Sequence, residues 1–194
     1  MGLTITAGPA IEPISRADAQ KYIEYEGADR DDLIDLVITA ARKDIESRTR
    51  RQLITATYVW TLDGFPAVMY YPRPPYQTTT TLAYVDTNGS PQTLTENTEW
   101  VVGTPEGNTG KSRAVPAYGY VWPATYSEPD SVTMTYDAGY GNNATDVPAD
   151  VLLAMSMLIS AGFDWRPGIV EFKTAAIEDR LSRILSSYVV PEFG

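Results

Sequence analysis

The apolar residues of this 194-residue chain change their spacing twice, and that constrains the fold more than any single motif. Across residues 31–50, Ile34, Ile38, Ala41 and Ile45 recur at intervals of four, three and four, joined by Leu33, Val37 and Ala40, which is the stripe of an amphipathic helix. From about residue 53 to 140 the stripe gives way to short β-branched and aromatic runs between turn signals. Ten of the 13 tyrosines and three of the four tryptophans fall there. After Asn142 and Asn143 the helical period returns. No single layer accommodates both periods, so the chain reads as α+β: a helical bundle of two N-terminal and two C-terminal helices, interrupted by a β-rich insertion and followed by an extended tail. In numbers, residues 1–51 and 142–187 form the bundle, 52–141 the insertion and 188–194 the tail.

Local signals place the elements. Ser15 is an N-cap, with Asp18 three positions on as a short capping-box acid, for a helix over residues 16–24. Gly27 breaks it. Asp29, Asp31 and Asp32 then crowd a helix start, where the backbone dipole favours negative charge, while Arg42, Lys43, Arg48, Arg50 and Arg51 fill the far half. Strands are expected over 54–62, 68–71, 78–85, 92–94, 100–102, 111–115 and 131–136. Asp86-Thr87-Asn88-Gly89 suits a hairpin turn, because Asn-Gly accepts positive φ at little cost. Further turns are expected at residues 63–66 and at Asn97-Thr98. The three prolines of Tyr71-Pro72-Arg73-Pro74-Pro75 lack ladder donors and restrict that segment to an edge or crossover.

Asp146 is a candidate cap and Pro148 suits a first helical turn. Val151, Leu152, Met155, Leu158 and Ile159 form the next apolar stripe, which Arg166-Pro167-Gly168 ends. A last helix is expected over 174–187, with Ile177, Leu181, Ile184 and Leu185 on its apolar face. Beyond it, Tyr188, Val189, Val190, Pro191, Glu192 and Phe193 are extended, since Pro191 bars further helix. Nothing in the sequence demands that this tail be buried in its own domain. A frayed terminus and a peptide that docks into a partner are both open readings.

Composition narrows the chemistry. There is no His and no Cys, so a Ser-His-Asp triad, a thiol nucleophile, a disulfide framework and a structural zinc site are excluded. Haem and iron–sulfur clusters lose their usual ligands too. Carboxylates are the remaining catalytic candidates. Asp31, Asp32 and Asp35 sit where helix capping explains them, and Glu96 with Glu99, or Glu128 with Asp130, flank turns rather than a recognisable cleft. Asp86-Thr87-Asn88-Gly89 lacks the spaced ligands of a calcium loop. Gly107-Asn108-Thr109-Gly110-Lys111-Ser112 has two residues between its glycines where a phosphate loop needs four, and reads as a flexible loop. No catalytic residue, cofactor or metal is therefore expected. No run of about 18 apolar residues is present to cross a membrane, and the opening MGLTITAGPAIEP has no secretory pattern. Fifteen basic against 25 acidic residues give a net charge of −10, which opposes wrapping of nucleic acid by charge neutralisation. Exposed Trp and Tyr offer a second reading, a carbohydrate-binding or capsid-decoration module, against packing of the same rings in a small β core.

Several segments taken in order carry a resemblance. They are PISRADAQKY at 13–22, Glu46-Ser47-Arg48-Thr49, Leu53-Ile54-Thr55-Ala56-Thr57 with Trp60, and Leu62-Asp63-Gly64-Phe65-Pro66. Pro72-Arg73-Pro74-Pro75 and Leu82-Ala83-Tyr84-Val85-Asp86 follow, before Asn88-Gly89. Later come Val115-Pro116-Ala117-Tyr118-Gly119, Trp122-Pro123-Ala124-Thr125, Pro129-Asp130-Ser131-Val132, and Ala138-Gly139-Tyr140-Gly141 before Val147-Pro148. From about residue 12 to 166 this set resembles the head–tail connector (adaptor) proteins of long-tailed bacteriophages, prophages and gene-transfer particles.

The resemblance implies a non-enzymatic virion protein. Its copies would form a homo-oligomeric ring, commonly of twelve, beneath the portal protein at the head–tail junction, after assembly in the host cytoplasm. The ring would extend the DNA channel, let packaged DNA pass without sequence-specific binding, and present a surface to the stopper or tail-completion protein. It also implies that the tail, Tyr188 to Phe193, reaches into the portal. Asp31, Asp32 and Asp35 at one end of the long helix, with Arg48, Arg50 and Arg51 at the other, are candidates to pair across the subunit interface. The family pattern ends this helix with Thr-Gly-Arg; here Arg50 replaces the glycine, and the helix is expected to run on slightly.

Overall fold

The computed structural model describes residues 1–104, 111–163 and 170–191, with side chains of 170–176 excepted. The chain is α+β, with antiparallel sheets and four α-helices among the described residues. It divides into two units: Met1–Pro9 with Thr55–Tyr140, and Ala10–Ile54 with Gly141–Gly194.

The first unit is the β unit. Strands β1 (Gly2–Ala7), β2 (Ala56–Leu62), β3 (Met69–Tyr70), β4 (Tyr76–Val85), β5 (Pro91–Leu94), β6 (Trp100–Gly103), β7 (Arg113–Pro116) and β8 (Val132–Ala138) make two sheets, ordered β1-β2-β8-β4-β5 and β3-β7-β6. Alternation decides what they bury. Along β2, Ala56, Tyr58, Trp60 and Leu62 face inward, and along β8 Val132, Met134, Tyr136 and Ala138 do the same. The register sets Tyr58 opposite Tyr136 and Trp60 opposite Met134, so both strands feed one core with Leu82, Met69, Tyr71 and Trp100. Its buried phenols find acceptors, as when Tyr136 donates to Pro72 O at 2.8 Å. Burial pushes the Tyr136 and Tyr71 phenols well above the ordinary value. The Asp86 carboxylate closes the β4–β5 turn by accepting from Asn88 N (2.8 Å) and Ser90 N (3.0 Å), and Gly89 takes φ +79°.

Strand β1 corrects the expectation that residues 1–51 are all helical. Leu3 and Ile5 alternate with Thr4 and Thr6, a β-branched pattern that pairs antiparallel with β2, Leu3 opposite Trp60 and Ile5 opposite Tyr58. The first nine residues thus join the β unit.

The second unit is helical: α1 (Arg16–Tyr22), α2 (Asp31–Thr49), α3 (Ala149–Phe163) and α4 (Val170–Leu185). Ser15 caps α1 as its sequence signal implies, accepting from Asp18 N at 3.1 Å. Helix α1 stops at Tyr22, two residues early, with Glu24 at φ +51°. Ile34, Ile38, Ala41 and Ile45 are buried along α2, and Val151, Ala154, Met155 and Ile159 along α3. Helix α2 does not run on: it stops at Thr49, with Arg50 itself in the left-handed region at φ +57°. The helix ends on a left-handed residue even without glycine, and Arg50 carries the steric cost that glycine avoids. Before α3, Asn143 and Asp146 form a reciprocal capping box on a short 3-10 turn, and a Cβ added at Gly141 would collide with the Asp146 carboxylate. The chain stop at Arg166-Pro167-Gly168 lies outside the described residues.

Candidate assembly surfaces

The charges singled out on α2 are engaged at three levels of burial. At its exposed N-terminal end, Arg16 of α1 reaches across to Asp31 (2.6 Å) and donates through Nε to Asp35 (2.8 Å), with a second contact between Arg16 Nη2 and Asp35 Oδ2. The hydrogen bonds from Arg16 hold the Asp35 carboxyl below the usual range. Arg16 and Asp35 remain well solvated, so their contact orients side chains more than it stabilises. Asp32 is exposed. Beside the fork lies a groove of about 600 Å³ whose walls include Ile11, Glu12, Arg16, Asp35 and Ile38.

In the middle of α2, Arg42 is almost buried and donates to Glu12 (2.7 and 3.2 Å) and to Glu46 (3.0 Å). The other Glu46 oxygen accepts from Gln52 Nε2 (2.9 Å) and Leu53 N (3.1 Å). Burial pulls the Arg42 pKa down, but Glu12 and Glu46 outweigh it and leave it raised. This network ties the helix to the segment that leaves it. Sequence reasoning missed it; the Arg42/Glu46 spacing of four was its one readable trace.

At the C-terminal end, Arg48 grips Glu178 of α4 with two bonds (2.6 and 3.0 Å) and Asp44 with a third (2.9 Å). Glu178 is lowered by its bond from Arg48. Arg50 and Arg51 turn to the tail. Arg51 is 3% exposed and donates from Nε to Tyr188 O at 2.7 Å, while Arg50 Nη1 lies 3.4 Å from Val190 O. Val190 N donates to Thr49 O at 3.1 Å, and the Tyr188 hydroxyl reaches Asp150 at 3.4 Å. Two sets of residues that the sequence kept apart, the basic helix end and the tail, therefore meet. The tail is not simply loose: Tyr188 is 6% exposed and Val190 is fully buried, whereas Val189 points outward. Pro191 is exposed, and Glu192 and Phe193 lie outside the described residues.

The remaining candidates resolve into structure. Trp60 and Trp100 are core residues, and Trp122 stacks on Phe65 at 4.8 Å, so these rings pack rather than form a displayed platform. Trp165 lies outside the described residues. Tyr118, Tyr120 and Val121 are exposed in the segment after β7. Glu99 accepts from Thr95 N (2.7 Å), and Asp63 from Asp130 N (3.1 Å), so these acids shape turns. Among the described residues no group of three or more acids could hold a metal ion, and no helix is long and apolar enough to cross a membrane. Most of the Gly107–Ser112 loop lies outside the described residues; Ser112 itself is buried and accepts from Tyr71 N at 2.9 Å.

No protein-family model matches the chain, and no curated protein matches it. Solved structures do share its fold. A chain in the virion of a native gene transfer agent particle aligns with a TM-score of 0.78 at 20% identity, over 100% of this chain and 98% of that one. A chain in the neck of an empty gene transfer agent particle, computed with C6 symmetry, gives 0.74 at 20% identity with the same coverage. A chain in the neck of a native particle, computed with C12 symmetry, gives 0.74 at 18% identity over 100% and 98% of the two chains. At these identities the likeness is one of fold, and it spans both units.

Proposed function

We propose that the chain is a structural, non-enzymatic virion protein of the head–tail junction of a phage-like particle, a connector (adaptor) that forms a ring of twelve copies beneath the portal. The observation that carries this reading is the full-length likeness to chains of gene transfer agent virions and necks, one of those necks computed with C12 symmetry. The ring extends the DNA channel, contacts the portal on one side and offers the stopper or tail-completion protein its attachment surface on the other. Its two flanking contacts within the ring are different faces of one subunit, closed by rotation.

The acidic balance suits this role. Twelve copies at −10 each carry on the order of −120 before counterions, and a wall of that sign repels phosphates and lets DNA slide. The acidic N-terminal end of α2 is proposed to face a neighbouring copy, with Asp32 the exposed acid beside the Arg16 fork, while Arg48, Arg50 and Arg51 serve contacts within the subunit. For the portal contact, the extended segment from Tyr188 to Phe193 is proposed as the docking element, anchored at Tyr188 and Val190 and presenting Val189 and Pro191. Deleting the gene in cells that produce the particle tests the reading. The expected product is DNA-filled heads that lack tails; normally tailed particles would refute it.

A further inference from the structure

We propose that the solvent-facing stripe of α3 packs antiparallel against the solvent-facing stripe of α2 in a neighbouring copy, with Asp150 paired to Lys43 at one end. This rests on the ring reading above and names the contact that builds the ring. Helix α3 is the element that needs a partner. Between Asp150 and Asp164 the sequence carries no charged side chain. A helix that is apolar all round belongs in an interior, yet this one buries one side, through Val151, Ala154, Met155 and Ile159. On the opposite side Leu153 is 47% exposed, Met157 and Ser160 are partly exposed, and Asp150 is exposed.

A surface of matching chemistry lies on α2 of the same chain. Opposite its buried residues, Leu33 is 42% and Leu36 65% exposed, and Ala40 and Lys43 are exposed as well. Along α3 the stripe runs Asp150, Leu153, Met157, Ser160, at steps of three, four and three. Backwards along α2 it runs Lys43, Ala40, Leu36, Leu33, at the same steps. Each stripe is therefore about 15 Å long. Set antiparallel, they place Leu153 in the space left by Ala40, Met157 against Leu36, and the Asp150 carboxylate beside the Lys43 ammonium. Lys43 has no ion-pair partner among the described residues, and Asp150 accepts from the Tyr188 hydroxyl through one oxygen, at 3.4 Å. A parallel arrangement would instead run Asp31 and Asp32 alongside Asp150, where like charges repel. Pairing α2 with a second α2 would match Asp32 to Lys43, but it leaves α3 uncovered, and a twofold contact ends at two copies. The α2–α3 contact joins unlike surfaces, each on the far side of its helix from the buried face. Each copy therefore offers both at once, and the series closes by rotation.

The cysteine-free sequence makes the test direct. The double variant Ala40→Cys/Leu153→Cys, oxidised as the full chain in solution and again inside purified particles, should give a ladder of multiples of 21.3 kDa on a non-reducing gel. Ala40→Cys mixed with Leu153→Cys should give dimers alone, and either variant by itself none. Lys43→Glu should raise the concentration for half-assembly at least about tenfold, and adding Asp150→Lys should bring it back. Circular dichroism checks that both stay folded; where the exchanged pair does not, the cysteine ladder decides alone. Dimers of Ala40→Cys by itself, showing α2 against α2, would overturn the proposal, as would a folded charge-exchanged variant without recovery. Rings seen by electron microscopy without a cross-linked ladder would overturn it too, and leave the neck reading standing. A monomer at every concentration that is also absent from particle necks would refute both. A ladder from protein that never reaches particle necks would instead uphold the helix contact and refute the neck assignment.

Discussion

Two truncations separate what the C-terminal segment does for its own subunit from what it does for a partner. Removing residues 188–194 strips Tyr188 and Val190 from the helical unit, a burial of about 3–5 kcal/mol for two large side chains. It also removes the Arg51–Tyr188 and Thr49–Val190 hydrogen bonds, about 2–4 kcal/mol when one donor is a buried guanidinium. Releasing the three residues Tyr188, Val189 and Val190 returns about 3–5 kcal/mol of conformational entropy. The expected net loss is about 2–4 kcal/mol, read as a lowered midpoint in urea unfolding. Removing only residues 192–194 touches none of these contacts and should leave that midpoint unchanged, while weakening co-sedimentation of the chain with portal-bearing heads. Equal midpoints for the two truncations would refute the anchoring of the tail at Tyr188 and Val190. Undiminished head binding by the shorter truncation would remove Glu192 and Phe193 from the docking element.

Other expectations follow from the same helix. Arg50→Gly should stabilise by about 0.5–1 kcal/mol in thermal or urea unfolding, because glycine accepts φ +57° without strain; a loss would mean that the contact with Val190 outweighs the strain. Glu46→Ala should cost about 3–5 kcal/mol, since it leaves Arg42, Gln52 and Leu53 N short of an acceptor, whereas Glu46→Gln should cost under about 2; an alanine cost below about 1 would refute the network's role. Arg16 and Arg48 hold Asp35 and Glu178 below their ordinary values of 3.8 and 4.5. A depressed folded-state pKa contributes stability above the unfolded value and loses it as pH falls through the folded one. Unfolding midpoints should therefore hold to about pH 5 and drop below about pH 4, less steeply in Asp35→Asn/Glu178→Gln; an identical acid slope in that variant would contradict the assignment.

What was legible in the sequence was local. The spacing of Ile34, Ile38, Ala41 and Ile45 gave α2 and its buried face, and Ser15 and Asp86-Thr87-Asn88-Gly89 declared a cap and a hairpin through bonds spanning two to four residues. What escaped was non-local. Strand β1 shows its Leu-Thr-Ile-Thr alternation openly, but its reason to be a strand is β2, more than fifty residues on. The burial of Val190 depends on Thr49 and Arg50, 140 residues earlier in the case of Arg50. Arg50 misled in a different way: the absence of glycine there suggested that the helix runs on, whereas Arg50 itself takes the left-handed conformation that ends it. The charges proposed for a subunit interface stand out along α2, but Arg16, Asp44 and Glu178, which engage Asp31, Asp35 and Arg48 within the chain, come from positions no periodicity links to them.

Electron microscopy of intact particles, with this chain carrying a labelled insertion at the exposed β4–β5 turn, tests the central claim most directly. The account predicts twelve labels in a ring at the head–tail junction, between portal and tail. Label spread over the capsid surface, or absent from the neck, would contradict it.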